Sequence, residues 1–196
     1  MRYKVIGAVY FAATLSGIAI GACAVAASPN VETGAAPALQ AVIQHEYPQY
    51  KIVAAIDIDL NNCDEPKAPP GLVEGDFNGD NLTDYAVILV NNTNKKVKLQ
   101  GQLWDAVDVK FVIYLGRQGG GLQKAYMESF DQNPGLQIVG LQLVPAGVVV
   151  NESPIMGNKK ILLQYQGVDK YHCGKWADVY YWGKKTKRFD AIRVIE

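Results

Sequence analysis

The chain has 196 residues, and 19 Lys and Arg balance 19 Asp and Glu, so its formal net charge is zero. A balanced chain lacks the positive field that draws proteins to nucleic acids, which argues against a nucleic-acid-binding function. Hydrophobic residues make up 49% of the chain and charged residues 19%. That balance excludes a disordered chain and suits one globular domain.

The N-terminus has the features of an export signal. Arg2 and Lys4 form a short positive head, and an almost entirely apolar run follows it. The run ends in Ile20-Gly21-Ala22-Cys23, which resembles a bacterial lipobox. This resemblance implies a signal peptide at residues 1–22 and a lipid on Cys23.

A second cleavage pattern overlaps the first. Ala24-Val25-Ala26 is typical of an ordinary secretory signal and leaves residues 1–26 as the alternative signal peptide. An uncleaved membrane anchor is disfavoured, because no basic flank follows the apolar run. We therefore expect a tether at residues 23–35 and a single domain at residues 36–196.

The three cysteines are Cys23, Cys63 and Cys173. Either cleavage route removes Cys23 from the free thiols, by lipidation or with the signal, and leaves an even pair. In an oxidising compartment we expect Cys63 and Cys173 to form a disulfide. A zinc site at His172 and Cys173 is the less favoured interpretation, because exported cysteines are more often paired with each other.

One helix is predicted at the start of the domain. Pro37 suits a first turn, Pro48 ends the pattern, and an apolar stripe lies between them. The stripe consists of Leu39, Val42, Ile43 and Tyr47.

Short strands are predicted over the rest of the domain. Lys51–Leu60 and Val107–Leu115 alternate with period two, and Tyr85–Val90 is nearly all apolar. Asn91–Lys96 is predicted to be a polar turn and Gly116–Gly121 a hairpin turn. Further strands are predicted at Leu122–Phe130, Gln137–Val144, Gly147–Asn151, Ile161–Gln166, Ala177–Trp182 and Arg188–Glu196. One helix followed by many short strands predicts an α+β fold with one mainly antiparallel sheet.

Residues 75–87 contain the motif that carries chemistry. Asp76, Asn78, Asp80 and Asp84 stand at positions 1, 3, 5 and 9 of a loop, and the carbonyl of Leu82 stands at position 7. Calcium takes six to eight oxygen ligands, which alternate residues of a tightly wound loop supply. Three carboxylates so close together repel one another without a cation. The alternative is an Asx-rich turn whose side chains bond their own backbone.

The loop departs from an EF-hand at two positions. Val87 stands at position 12, where an EF-hand has a bidentate Glu, and Asn81 stands at position 6 in place of Gly. Asn tolerates a left-handed backbone, so we expect the turn to form.

Asp76-Phe77-Asn78-Gly79-Asp80 through Asp84-Tyr85-Ala86-Val87 resembles the calcium loop of FG-GAP/VCBS repeats. The resemblance implies that Asp76, Asn78, Asp80 and Asp84 hold a calcium ion that pins two strands together. It covers about a dozen residues. With a single copy of the motif, a propeller, which needs four or more blades, is excluded.

No catalytic constellation is recognised. Gly-x-Ser-x-Gly is absent, and Asp57, Asp59, Glu74 and Glu128 are candidates for paired acid chemistry only by residue type. The aromatic run Tyr180-Tyr181-Trp182 is interpreted as core packing, with a carbohydrate or protein contact as the alternative.

The expected protein is therefore an exported, lipid-anchored bacterial calcium-binding protein of the periplasm or outer envelope. We expect a binding or structural role without catalysis, and a protein or carbohydrate partner. A periplasmic inhibitor or immunity protein that blocks an enzyme is the alternative function, and an unrecognised hydrolase is a third.

Overall fold

The computed structural model describes residues 36–54, 71–99, 101–132, 139–151, 159–172 and 176–195, which lie in one structural unit, Thr33–Glu196. The predicted helix is confirmed as α1, Pro37–Glu46. Proline at the start of α1 lacks one N–H group that would have no partner in the first helical turn, and Leu39 and Ile43 are the buried residues of α1. No helix in this part of the chain is long and apolar enough to cross a membrane.

Eleven strands follow α1 in the described residues. They are β1 Lys51–Ile52, β2 Leu72–Gly75, β3 Asp84–Leu99, β4 Gln102–Gly116, β5 Leu122–Gln132, β6 Val139–Val144, β7 Gly147–Asn151, β8 Lys159–Leu163, β9 Gly167–His172, β10 Trp176–Gly183 and β11 Arg188–Ile195.

The first sheet is antiparallel and contains β1 to β5. Its order is β1-β3-β4-β5, and β2 pairs with the same strand, β3, as β1 does. β1 is opposite Val90 and Leu89, and β2 is opposite residues 84–87. The two short strands therefore run end to end along one edge of β3.

Gly71 lies where these two short strands meet. The N–H of Val53 donates to the carbonyl of Ile88, and the N–H of Ile88 donates to the carbonyl of Gly71. A Cβ atom on Gly71 would lie 2.5 Å from the carbonyl oxygen of Val53. Glycine therefore permits the close approach of the two backbones where β1 and β2 meet.

The second sheet has the order β11-β10-β9-β6, and the third is the hairpin β7-β8. All strand pairs in both sheets are antiparallel. The β10–β11 hairpin runs from Trp176 opposite Ile195 to Gly183 opposite Arg188.

Three apolar clusters among the described residues define the layers. The largest lies between the first and second sheets and includes Ile88, Phe111, Val168 and Tyr180. A second lies between the first sheet and α1, and a third joins the second sheet to the β7-β8 hairpin. The order of layers is therefore α1, first sheet, second sheet, hairpin.

The first half of β3, residues 85–90, is covered on both faces, which explains its unbroken apolar sequence. Ala86, Ile88 and Val90 belong to the cluster between the sheets, whereas Val87 and Leu89 belong to the cluster under α1. Alternation of side chains along a strand sends successive residues to opposite faces.

The predicted α+β class is wrong. The described residues form a mainly β protein with one ten-residue helix and three antiparallel sheets, instead of one sheet of short strands. Asn91–Lys96 is not a turn but part of the 16-residue strand β3, with a register shift between Asn92 and Lys96. Backbone pairing with β4 holds this polar segment extended, whatever its side chains prefer.

Other predictions have mixed outcomes. The turn at Gly116–Gly121 is confirmed, and Gly119, Gly120 and Gly121 have positive φ. The predicted strand Lys51–Leu60 is described only to Ala54. β2 and β9 were not predicted as strands. The signal peptide, the tether, Cys23, Cys63, Cys173, Asp57 and Asp59 lie outside the described residues.

Candidate functional site

The predicted calcium loop connects β2 to β3, whose facing ends pair Gly75 with Asp84. Two residues of the loop have a left-handed backbone, Gly79 with φ 79° and Asn81 with φ 63°. Asn81 therefore adopts the turn conformation expected at position 6, as predicted.

Asp76 holds the turn from its first position. Its Oδ1 accepts the N–H of Gly79 at 2.7 Å and of Asp80 at 3.1 Å, and its Oδ2 accepts the N–H of Asn81 at 3.0 Å. These are Asx-type contacts between a side chain and the backbone a few residues ahead.

Asn78 and Asp80 bond to each other. The Asn78 Nδ2 donates to Asp80 Oδ2 at 2.9 Å, and the Asn78 Oδ1 accepts the N–H of Asp80 at 3.1 Å. The other oxygen of Asp80 accepts the N–H of Leu82 at 2.9 Å. Three of the predicted ligands, Asp76, Asn78 and Asp80, therefore share one exposed turn.

Asp84 lies at the end of the loop and is fully buried. Its Oδ2 accepts the N–H of Phe77 at 2.7 Å, and its Oδ1 accepts the N–H of Gly116 at 2.8 Å. The carboxylate thus joins the start of the loop to the end of β4.

The pKa of Asp84 is raised to about 6. Burial is the largest cause, the two backbone N–H groups oppose it, and the negative charges of Asp80 and Asp76 raise the pKa further. Asp84 therefore senses the charge on both loop carboxylates.

The loop also contacts the segment that connects β8 to β9, and it packs into the core between the sheets. The N–H of Asp76 donates to Oε1 of Gln166 at 2.8 Å, and Phe77 is fully buried in the cluster between the sheets. A Cβ atom on Gly79 would overlap the ring of Tyr165. Sequence reasoning missed Tyr165 and Gln166, because nothing in a single sequence links them to a loop so far away.

The donor set suits a hard cation. Carboxylate, amide and main-chain carbonyl oxygens are the ligands that calcium prefers. Within the described residues, Asp76, Asp80 and Asp84 form no ion pair with Lys, Arg or His. No group of three or more His, Cys, Asp or Glu there is arranged to hold a metal ion. The carboxylate oxygens of Asp76, Asp80 and Asp84 accept backbone N–H groups, which fixes the side chains in the loop.

An open depression of about 420 Å³ lies beside the loop. Glu74, Asp76, Asn81 and Thr83 are among its lining residues. The depression gives solvent access to one side of the loop.

A Ser and a Lys lie together on the α1 side of the first sheet, which bears on the hydrolase alternative. The Nζ of Lys110 is 3.0 Å from the Oγ of Ser129, and Lys110 also contacts Asp108 and the ring of Tyr50. Burial alone lowers the pKa of Lys110, but Tyr50 and Asp108 outweigh it and raise that pKa above its ordinary value. An ammonium stabilised in this way is a poor general base for Ser129.

The aromatic run in β10 serves packing, as first interpreted. Tyr180 is buried in the cluster between the sheets and Trp182 packs against it, while Tyr181 packs against the third cluster. Tyr180 also donates to Oε2 of Glu128 at 2.7 Å, and the buried Lys170 bonds the same oxygen at 2.9 Å. Glu128 is therefore a structural partner of two buried groups on the second sheet.

Comparison of the chain with protein-family models, with curated proteins and with solved structures finds no match. The loop at residues 75–87 is therefore the feature of the chain that bears most directly on its function.

Proposed function

We propose that this chain is an exported bacterial envelope protein that binds one calcium ion through the loop at residues 75–87 and has a binding or structural role. Lipid on Cys23 would hold it at a membrane. The proposed ligands are Asp76, Asn78, Asp80, Asp84 and the carbonyl of Leu82.

The observation that carries the proposal is the environment of Asp84. This carboxylate is fully buried, forms no ion pair with a described residue, and interacts with the charges of Asp76 and Asp80. Placing several carboxylates together costs free energy that a divalent cation offsets. Calcium therefore supplies the counter-charge that the described side chains lack.

Calcium at this loop would strengthen the junction between the two large sheets. Asp84 bonds to the end of β4 through Gly116, and Asp76 bonds to Gln166, which directly precedes β9 of the second sheet. A cation shared by Asp76 and Asp84 would connect these two anchor points. The resulting role is structural, in agreement with the pinning of strands that the FG-GAP/VCBS resemblance implies.

Calcium binding is tested by thermal unfolding in chelator, in millimolar calcium and in millimolar magnesium. Ligand linkage stabilises the folded chain by about 2.7 kcal/mol at a hundredfold excess over Kd. Without the bidentate Glu, we expect a Kd on the order of 10⁻⁴–10⁻³ M. Magnesium should stabilise less, because it demands a tighter octahedral shell.

Asp80→Ala removes one exposed ligand and should abolish most of the calcium response. The matched control is Asp190→Ala, which removes an aspartate from β11 and should keep the full response. If the wild type unfolds at the same midpoint temperature in calcium and in chelator, the loop is an Asx turn that binds no calcium.

The anchor is tested separately, by the intact mass of protein from its native host. A mature chain that begins at Cys23 with added acyl mass supports lipidation. A chain that begins at Ala27 without acyl mass would show ordinary secretion and leave the calcium proposal standing.

A further inference from the structure

The long hairpin of β3 and β4 extends beyond its neighbours. β1 pairs with β3 only at Val90 and Leu89, and the register of β4 with β5 starts at Val107. Past these points, the described residues of β3 and β4 form strand pairs only with each other, up to Leu99 opposite Gln102. We call residues 93–99 and 101–106 the arm.

The arm is cationic and apolar together. Lys95, Lys96 and Lys98 are exposed, and Leu103 is 69% exposed, the highest value among the large hydrophobic residues described. The sequence of the arm adds Val97, Leu99 and Trp104, and it contains a single acidic residue, Asp105. The register places Trp104 opposite Val97, Leu103 opposite Lys98 and Asp105 opposite Lys96. With three lysines and one aspartate, the arm keeps a net positive charge.

We propose that the arm docks on an anionic phospholipid surface. Lysines close to an anionic bilayer attract it, and each strengthens binding by roughly fivefold. Trp is enriched at the boundary between headgroups and acyl chains, where an exposed Leu also gains by leaving water. A ribbon that carries both residue types near its tip complements such a surface in charge and in polarity.

The same cations could attract a nucleic acid, but two observations favour lipid. The whole chain has no net charge, so it lacks the long-range field of a nucleic-acid-binding protein. The strong exposure of Leu103 contributes nothing to phosphate binding, whereas it fits insertion among headgroups. The inference rests on the proposed function in one respect, because export and lipidation bring the domain close to a membrane.

The experiment reconstitutes the full chain into vesicles of phosphatidylcholine, with or without phosphatidylglycerol, and measures tryptophan quenching by brominated lipid. The chain has three Trp, so the signal of Trp104 is the difference between the wild type and Trp104→Phe. We expect this difference signal to be quenched strongly in anionic vesicles and weakly in neutral ones.

The triple substitution K95E/K96E/K98E should reduce quenching in anionic vesicles to the level of neutral vesicles. The matched control, K184E/K185E/K187E, reverses three exposed lysines in the β10–β11 turn and should leave the signal unchanged. Leu103→Ser is a second variant that changes an exposed side chain with little effect on folding, and it should weaken the quenching.

Three outcomes would overturn the proposal. The first is equal quenching of Trp104 in anionic and neutral vesicles. The second is binding of a labelled DNA or RNA duplex that K95E/K96E/K98E abolishes, while the same variant keeps its quenching by lipid. The third is a dimer in detergent that K95E/K96E/K98E dissociates. The assay uses the full chain and needs neither calcium nor acylation. A negative result therefore removes the role of the arm alone, whereas the calcium melts and the intact mass test the proposed function.

Discussion

Gly79 is the residue at which the loop lies against Tyr165, in the segment between β8 and β9. Its φ is 79°, and an added Cβ atom would overlap the ring of Tyr165. We predict that Gly79→Ala destabilises the fold by about 2–4 kcal/mol, since a left-handed backbone costs roughly 1–2 kcal/mol and the displaced ring adds to it. Chemical denaturation in chelator measures this change.

The β4–β5 turn offers a matched control for that substitution. Gly119 has a φ of 82°, but a Cβ atom there would meet nothing within 4 Å. Gly119→Ala should therefore show only the backbone cost, about 1–2 kcal/mol. Equal losses at the two glycines would mean that Tyr165 does not confine the loop.

Asp84 makes stability depend on pH in a direction that is unusual for an aspartate. Its folded pKa of about 6 lies above the unfolded value of about 3.9, so between these values the folded chain binds more protons than the unfolded chain. Stability from this group is therefore greatest below about pH 4 and falls as pH rises through 6. The loss by pH 7 is on the order of 2–3 kcal/mol.

Denaturation in chelator at pH 5 and at pH 7, compared for the wild type and Asp84→Asn, measures this contribution. We expect the wild type to lose more stability than the variant over this interval. A calcium ion favours the carboxylate, so the stabilisation by calcium should be larger at pH 7 than at pH 5. The same pH dependence in both proteins would contradict the assignment to Asp84.

At the scale of elements, Glu128 connects the edge strand β5 to the second sheet. It accepts bonds from Lys170 and Tyr180, and the Lys170 ammonium also lies 5.6 Å from the centre of the Phe111 ring. Breaking a buried ion pair costs about 3–5 kcal/mol, and since the Glu128 side chain is 36% exposed, we expect Glu128→Gln to cost about 1–3 kcal/mol. Urea denaturation at neutral pH checks the value.

The double variant Glu128→Gln with Lys170→Met tests whether the charge is the cause. Removing both charges should recover part of the loss, because the buried ammonium is removed together with the carboxylate that faces it. Tyr180→Phe alone should cost about 1.5–3 kcal/mol, the value of one hydrogen bond to a charged group. If the losses in the free energy of unfolding of the two single variants simply add in the double variant, Glu128 and Lys170 act independently.

At the scale of the whole molecule, the predicted disulfide would join two distant parts of the chain. Closing so long a loop stabilises by about 4–5 kcal/mol in the chain-entropy model. We expect no free thiol when the mature protein is denatured without reductant and titrated with a thiol reagent. Two thiols per chain would contradict the pairing of Cys63 with Cys173.

Several features could be predicted from the sequence because neighbouring residues determine them. The proline at position 37 and the apolar stripe define α1, and the glycines after β4 define its turn. The left-handed conformation at Asn81 follows from the spacing of the loop and from the tolerance of Asn for that conformation. The oxygen donors of the loop are likewise evident from the sequence.

Tertiary structure alone decided the number of sheets and the length of the strands. The polar segment after Val90 is extended because β4 supplies hydrogen bonds to its backbone, and backbone pairing leaves no trace in side-chain periodicity. β9 resembles a loop in sequence because it contains Asp169 and Lys170. Both residues are nevertheless buried, and hydrogen bonds with Gln142 and Glu128 offset the cost of burying them. Gln166 likewise bonds to Asp76 in the loop at residues 75–87, although the two residues are far apart in the chain. Folding brings such distant segments together, and a single sequence does not record which segments will meet.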